Sequence, residues 1–481
     1  MSSEICFTTA TELADQIRTR QRSCVEVMAA HLYQIERLNP HVNALVTLLP
    51  EQAMAAAHAC DQALAAGKAP TAEEAPLFGL PVAHKDLVDT KGIRTTYGSP
   101  IFANHIPNFD ALIVERLRAA GAITIGKSNT PEFGAGSQTF NPVFGATRNP
   151  YNLSMTCGGS SGGAAVALAC GMVPIADGSD VGGSLRNPAS FCSVVGFRTT
   201  PGRVPIWPDQ TPYLPLAVEG PMARTVSDVA LMLSAMAGPD PRAPLSLSEP
   251  GATFRQPLAH DLRGLRLAWS PDLGGLPVEQ RVAEVFATQR TTFAALGCHV
   301  EDASPDMSGA DEIFLTLRAM RFELSLGHLL EHHRDQLKDT VIWNIEAGRR
   351  LSGPQVGRAF ALHAALLERL RNFFSRYDML ILPVSQVAPF PIEQPFVREI
   401  NGVVMGSYLE WMRSCSWISV TTQPALALPA GFTSDGLPVG LQIVGRPRDE
   451  LRMLQLAFAY EQATAHHARR PAIAIASDRS A

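Results

Sequence analysis

The chain has 481 residues, 46% of them hydrophobic, and a formal net charge of −5, which is ample material for a buried core. With no basic stripe and no Arg/Lys-rich tail, the composition argues against nucleic acid as the primary ligand. Eight cysteines lie scattered with no C-x-x-C pair, which argues against a zinc site or a disulfide framework and fits a reducing, cytoplasmic setting.

The first ten residues lack a basic stretch followed by an apolar one, so no secretory signal is expected. Residues 8–66 predict two or three amphipathic helices, with Leu13, Ile17, Val25, Met28, Leu32 and Ile35 at helical spacing and Asn39-Pro40 as a break. After a loop at 68–76 the chain alternates strands and helices to about residue 237. Strands are expected at 80–84 and 122–126 around a helix at 111–120, a unit that points to a largely parallel sheet. The longest apolar run, 164–176, is too short for a bilayer and holds Gly171 and Pro174, so no membrane span is expected.

Residues 237–257, rich in Pro, Ser and Gly, read as a linker or surface excursion. A second strand–helix–strand unit follows at 265–269, 278–296 and 298–303. Residues 311–376 read as helical, 379–382 and 437–444 as buried strands, and 449–465 as a closing helix. The economical architecture is one large α/β domain.

The chemistry lies in two glycine-framed serines, Ser160 in Gly-Gly-Ser-Ser-Gly-Gly and Ser184 in Gly-Ser-Asp-Val-Gly-Gly-Ser-Leu-Arg, with Lys85 upstream. A serine hydroxyl needs a base beside it, and a lysine serves when burial holds it neutral. Gly182 and Gly183 let successive N–H groups crowd one oxygen before Ser184. Taken alone, the Gly158 run could cradle a phosphate, but it lacks the Gly-Lys-Ser/Thr ending of such loops. His332-His333 and His466-His467 point apart on a helix and lack a third ligand, so no metal is expected.

The chain resembles the amidase signature family. The resemblance is carried by Gly-Leu-Pro-Val-Ala-His-Lys-Asp ending at Asp86, Gly-Ala-Ile-Thr-Ile-Gly-Lys ending at Lys127, the two serine motifs, and Gly-Pro-Met-Ala-Arg ending at Arg224. It implies an α/β fold with a large mixed, mostly parallel central sheet flanked by helices. The helical N-terminal segment would cover 1–66, the signature domain 67–470 (core 77–237, variable helical region about 305–378) and a tail 471–481. It further implies Ser184 as nucleophile, Ser160 after a cis peptide bond as the bridging serine, and Lys85 as the base. The backbone of Val181, Gly182, Gly183 and Ser184 would form the oxyanion hole, with Ser161, Ser179, Asp180 and Arg186 orienting the triad. Phe197-Arg-Thr-Thr departs from the more usual Leu-Lys-Pro-Thr without touching the triad.

Cys157, Gly158, Trp411 and Trp417 are candidates for the substrate pocket, with Phe314, Met320, Phe322 and Trp343 as further contributors. Together they favour an aryl or hydrophobic amide, with carbamates and esters as related substrates and no cofactor. The resemblance also points to a homodimer. A competing expectation is a glutaminase subunit of a tRNA-dependent amidotransferase. It is disfavoured by the apolar 411–417 region and by Leu-Ala-Val-Glu-Gly-Pro at 216–221, where that subfamily has Asp-Gln before Gly-Pro.

Overall fold

Residues Met379–Pro383 and Pro438–Gly445 are buried at every position, which requires a sheet covered on both faces. The computed structural model describes residues 2–475 and places these segments in an eleven-stranded sheet. In chain order its strands are β1 (Leu45–Leu48), β2 (Pro81–Lys85), β3 (Ile123–Ser128), β4 (Ile175–Asp180), β5 (Val195–Arg198) and β6 (Val218–Ala223), then β7 (Arg266–Trp269), β8 (His299–Asp302), β9 (Met379–Pro383), β10 (Ala425–Phe432) and β11 (Pro438–Gly445). Across the sheet they run β1-β3-β2-β4-β6-β5-β10-β11-β9-β7-β8. Alternate residues serve opposite layers: Met379 and Ile381 join one apolar cluster, Leu380 and Leu382 the other.

The sheet is mixed but not mostly parallel. Parallel pairing is confined to β3-β2-β4 and to β9-β7-β8, while the joins from β4 through β6, β5, β10 and β11 to β9 are antiparallel, as is β1 on β3. The strand–helix–strand units seen in the sequence are real. What joins them is a central antiparallel block whose strands need no crossover helix.

Four local readings are revised or sharpened. The helix Cys24–Val42 runs through Pro40 and stops at Asn43, which sits at φ 53°. A proline in the last turn forfeits one backbone bond where the helix is about to end, and the Asn39 side chain holds the exit by accepting from the Ala44 and Leu45 N–H groups at 2.9 Å. Segment 1–66 is not wholly helical, because β1 extends the main sheet. The stretch 237–257 is a surface excursion rather than a linker: Phe254 is buried, and the Arg203 guanidinium lies 5.3 Å from its ring centre. The segment 278–296 is helical but divided into Gln280–Thr288 and Arg290–Ala295. The last six residues of the expected tail lie outside the described residues.

The arrangement of β2, β4 and β6 positions the site. β2 and β4 are parallel neighbours, so Lys85 and Asp180, their last residues, reach the same edge. β6 runs antiparallel to β4 with Glu219 opposite Ser179. Clefts in open α/β sheets form at such carboxyl ends.

Candidate active site

Lys85 leaves the end of β2 fully buried, and its Nζ donates to three hydroxyls: Ser160 Oγ at 2.7 Å, Ser161 Oγ at 2.9 Å and Ser179 Oγ at 3.1 Å. Its backbone N–H donates to Asp177 Oδ1 at 2.7 Å, and the other oxygen of that carboxylate holds His84. Burial drives the ammonium to lose its proton and takes its pKa down to about 7, against the opposing pull of Asp180, Asp177 and Glu219. An amine poised there can accept a proton from a neighbouring hydroxyl at physiological pH.

Ser160 follows a cis peptide bond from Gly159, and the helix Gly162–Ala169 starts two residues on. Two glycines clear the space: a Cβ at Gly159 would lie 3.0 Å from Thr139 Oγ1, and one at Gly162 would lie 2.2 Å from the same atom. The Ser161 N–H donates to the Ser184 carbonyl at 3.1 Å, which ties the two serine segments together. The Ser160 and Ser184 side chains border the same cavity of about 330 Å³. Among the described residues the Ser184 hydroxyl has no hydrogen-bond partner.

The turn before Ser184 is fixed by a buried ionic knot. Asp180 accepts from Arg186 Nε at 3.1 Å and Nη2 at 3.2 Å, from the Gly183 N–H at 2.8 Å and from the Leu185 N–H at 3.2 Å. Arg198 Nη1 donates to the Asp180 carbonyl at 2.7 Å. Burial alone would protonate this carboxyl, but Arg186 and Arg198 outweigh it and hold Asp180 well below the usual carboxylate range. The Gly183 N–H is therefore committed to Asp180, and of the four expected oxyanion donors it drops out. The N–H groups of Val181, Gly182 and Ser184 are taken by no hydrogen bond among the described residues, and all three residues line the cavity.

The four expected pocket residues do not line it. Cys157 is fully buried and donates to the Thr147 carbonyl, and its Sγ would sit 2.7 Å from a Cβ at Gly162. Gly158, at φ 75°, backs onto Asn187. Trp411 is a core residue packed between Phe191 and Phe390, and Trp417 donates from Nε1 to Asp311. The walls come instead from Leu87, Val88, Phe133, Met412 and one face of the helix Ala310–His332, including Phe314 and Phe322. Met320 lies half-buried against the core and Trp343 stands half exposed, edge-on to Tyr408.

Sequence reasoning missed Glu219. Half-buried on β6, it lines the cavity, and burial, aided by Asp177 and Asp209, pushes its carboxyl up to about 8. Only its strand register, opposite Ser179, reveals its place. Arg198 was visible as a departure from the family pattern, but its pairing with Asp180 was not. Among the described residues no group of three or more His, Cys, Asp or Glu side chains is placed to hold a metal, and no helix is long and apolar enough to cross a membrane.

The amidase family model matches residues 26–454. The chain belongs to the amidase family. This enzyme is 35% identical to an acylamidase of Rhodococcus erythropolis over 96% of its own length and 97% of that protein's. It is also 36% identical to a glutamyl-tRNA(Gln) amidotransferase subunit of Moorella thermoacetica, over 98% and 100% of the two chains. Its fold matches a bacterial aryl acylamidase of the amidase signature family with a TM-score of 0.90 at 27% identity, over 98% and 99% of the chains. It is a hydrolase of amide C–N bonds, and its family acts on small amide substrates.

Proposed function

We propose that this amidase is a free-standing, cytoplasmic hydrolase of aryl or otherwise hydrophobic amides, working through an acyl-Ser184 intermediate. The observation that carries the reading is the buried Lys85 Nζ donating to Ser160 at the rim of a cavity that Ser184 shares. In this reading substrate binding closes the Ser184–Ser160 contact, since catalytic hydrogen bonds are often long in empty sites. Ser184 then attacks the carbonyl while its proton passes through Ser160 to neutral Lys85. The oxyanion is met by the N–H groups of Val181, Gly182 and Ser184, where one such donor is typically worth about 3–4 kcal/mol. The proton returns along the same path to the departing amine, which as an amide anion would be a very poor leaving group. Water then hydrolyses the acyl-enzyme. Carbamates, urethanes and esters undergo the same carbonyl addition and are expected as related substrates. Assembly as a homodimer rests on the family resemblance.

Labelling with a fluorophosphonate and mapping the modified peptide tests the nucleophile. The label is expected on Ser184 and absent from Ser184→Ala; a label on another serine overturns the assignment. The similarity to the glutamyl-tRNA(Gln) amidotransferase chain keeps a second reading, glutaminase action beside partner chains. That reading needs glutamine turnover or co-purifying partners.

A further inference from the structure

We infer that Arg318 forms an anion subsite in the substrate cavity, so that the preferred amides carry a carboxylate or comparable anionic group on an apolar arm. The inference rests on the proposed function and extends it to a substrate class. Arg318 lines the cavity yet is only 5% exposed. Among the described residues it has no acidic partner, and Nη1 donates to the neutral amide oxygen of Asn344. That amide is itself locked, because Asn344 Nδ2 donates to the Tyr408 hydroxyl at 2.7 Å. The guanidinium lies 4.4 Å from the Phe322 ring centre and 5.7 Å from that of Tyr408. These contacts orient the cation without neutralising it.

A buried charge is ordinarily paired, and here its remaining N–H groups have no partner among the described residues. Arg321, one turn on, contrasts with it: it too lines the cavity but is satisfied by Asp209 at 3.1 Å and by Thr211. An arginine fork matches a carboxylate in two parallel hydrogen bonds.

The spacing sets the arm. Phe314 packs on Gly182, where an added Cβ would lie 2.7 Å from its ring. Arg318 follows four residues later on the same helix, roughly 6 Å along its axis. A short alkyl or arylene arm spans that gap against Phe314, Leu409 and Met412, which line the cavity beside it.

The test compares matched anilides. Glutaryl-4-nitroanilide is set against pentanoyl-4-nitroanilide for the acyl arm, and N-butyryl-4-aminobenzoate against butyranilide for the amine arm. Wild type is expected to favour the carboxylate in at least one pair by ~10–100-fold in kcat/KM, mainly through KM. Arg318→Gln should collapse that ratio, and Arg318→Lys should keep part of it. Calorimetry of Ser184→Ala with the same pairs reads the preference without turnover and does not depend on Arg318 variants folding. No carboxylate preference in either arm, or a preference that survives Arg318→Gln, overturns the inference. Turnover of neutral anilides alone would do so while leaving the proposed function intact. Anion-selective binding with no turnover of any anilide would instead sink the proposed function and leave the subsite standing.

Discussion

In the proposed mechanism Lys85 is the residue on which the chemistry turns. Burial brings its pKa down to about 7, so the amine is protonated and unable to act as a base below that pH and neutral above it. kcat/KM should therefore rise with pH through about 7 to a plateau. Glu219, its own carboxyl pushed up to about 8 by burial, is largely protonated across that limb and lends Lys85 little negative charge. Glu219→Gln should therefore leave the acid limb near 7, and a limb displaced by about a pH unit or more would contradict a neutral carboxyl at this position. Lys85→Ala should cost about 10²–10⁴-fold in kcat, the usual worth of a positioned acid–base. The loss should be larger for anilides than for activated esters, whose leaving groups need no proton. Equal losses on both would argue against Lys85 as the source of that proton.

The elements around the site divide sharply in how readable they were. Lys85, Ser160 and Ser184 sit in long glycine-framed motifs, and Ser161 and Ser179 join them at Lys85. Asp180 and Arg186 also meet as expected. The pocket wall was harder to read. Trp411 and Trp417 are large and close in sequence to the cavity-lining Met412, but size does not tell core from cavity, and Trp411 went to the core. The true wall is one face of the helix Ala310–His332, where Phe314, Arg318, Arg321, Phe322, Ser325 and Leu326 recur at three- and four-residue spacing. That face has polar and apolar members because it borders a cavity, so it does not read as an apolar stripe. The Asp180 knot gives a prediction at this scale. Asp180→Asn leaves Arg186 and Arg198 buried together without their carboxylate and should lower stability by about 3–5 kcal/mol. Thermal unfolding reads the loss, and an unchanged melting temperature would contradict the knot's role.

At the scale of the whole molecule, the α/β class and the outer parallel units were legible, because β2, β3, β7 and β9 are apolar runs bounded by turns or helices; β11, in the antiparallel block, was legible for the same reason. The central antiparallel block was not. Its strands β5, β6 and β10 carry Gly196, Gly220, Pro221, Pro429 and Gly431, residues that alone signal turns. They are accommodated because glycine permits close approach: a Cβ at Gly220 would lie 2.1 Å from the Phe197 carbonyl, and one at Gly196 would lie 2.5 Å from that of Leu185. The Ser184 turn runs from β4 toward this block, and the Ser160 segment is tied to that turn by the Ser161 N–H on the Ser184 carbonyl. β1 escaped notice because four residues between two helices leave too little pattern to separate strand from helix.

Free-standing amide hydrolysis through Ser184 is tested by amine release from the purified chain, without partners, on an anilide, an aryl carbamate, an aliphatic amide and glutamine, with Ser184→Ala as the blank. Turnover of the anilide or carbamate is expected, with none of glutamine and no release above background by Ser184→Ala. Anilide release that survives Ser184→Ala, or turnover restricted to glutamine, would contradict it.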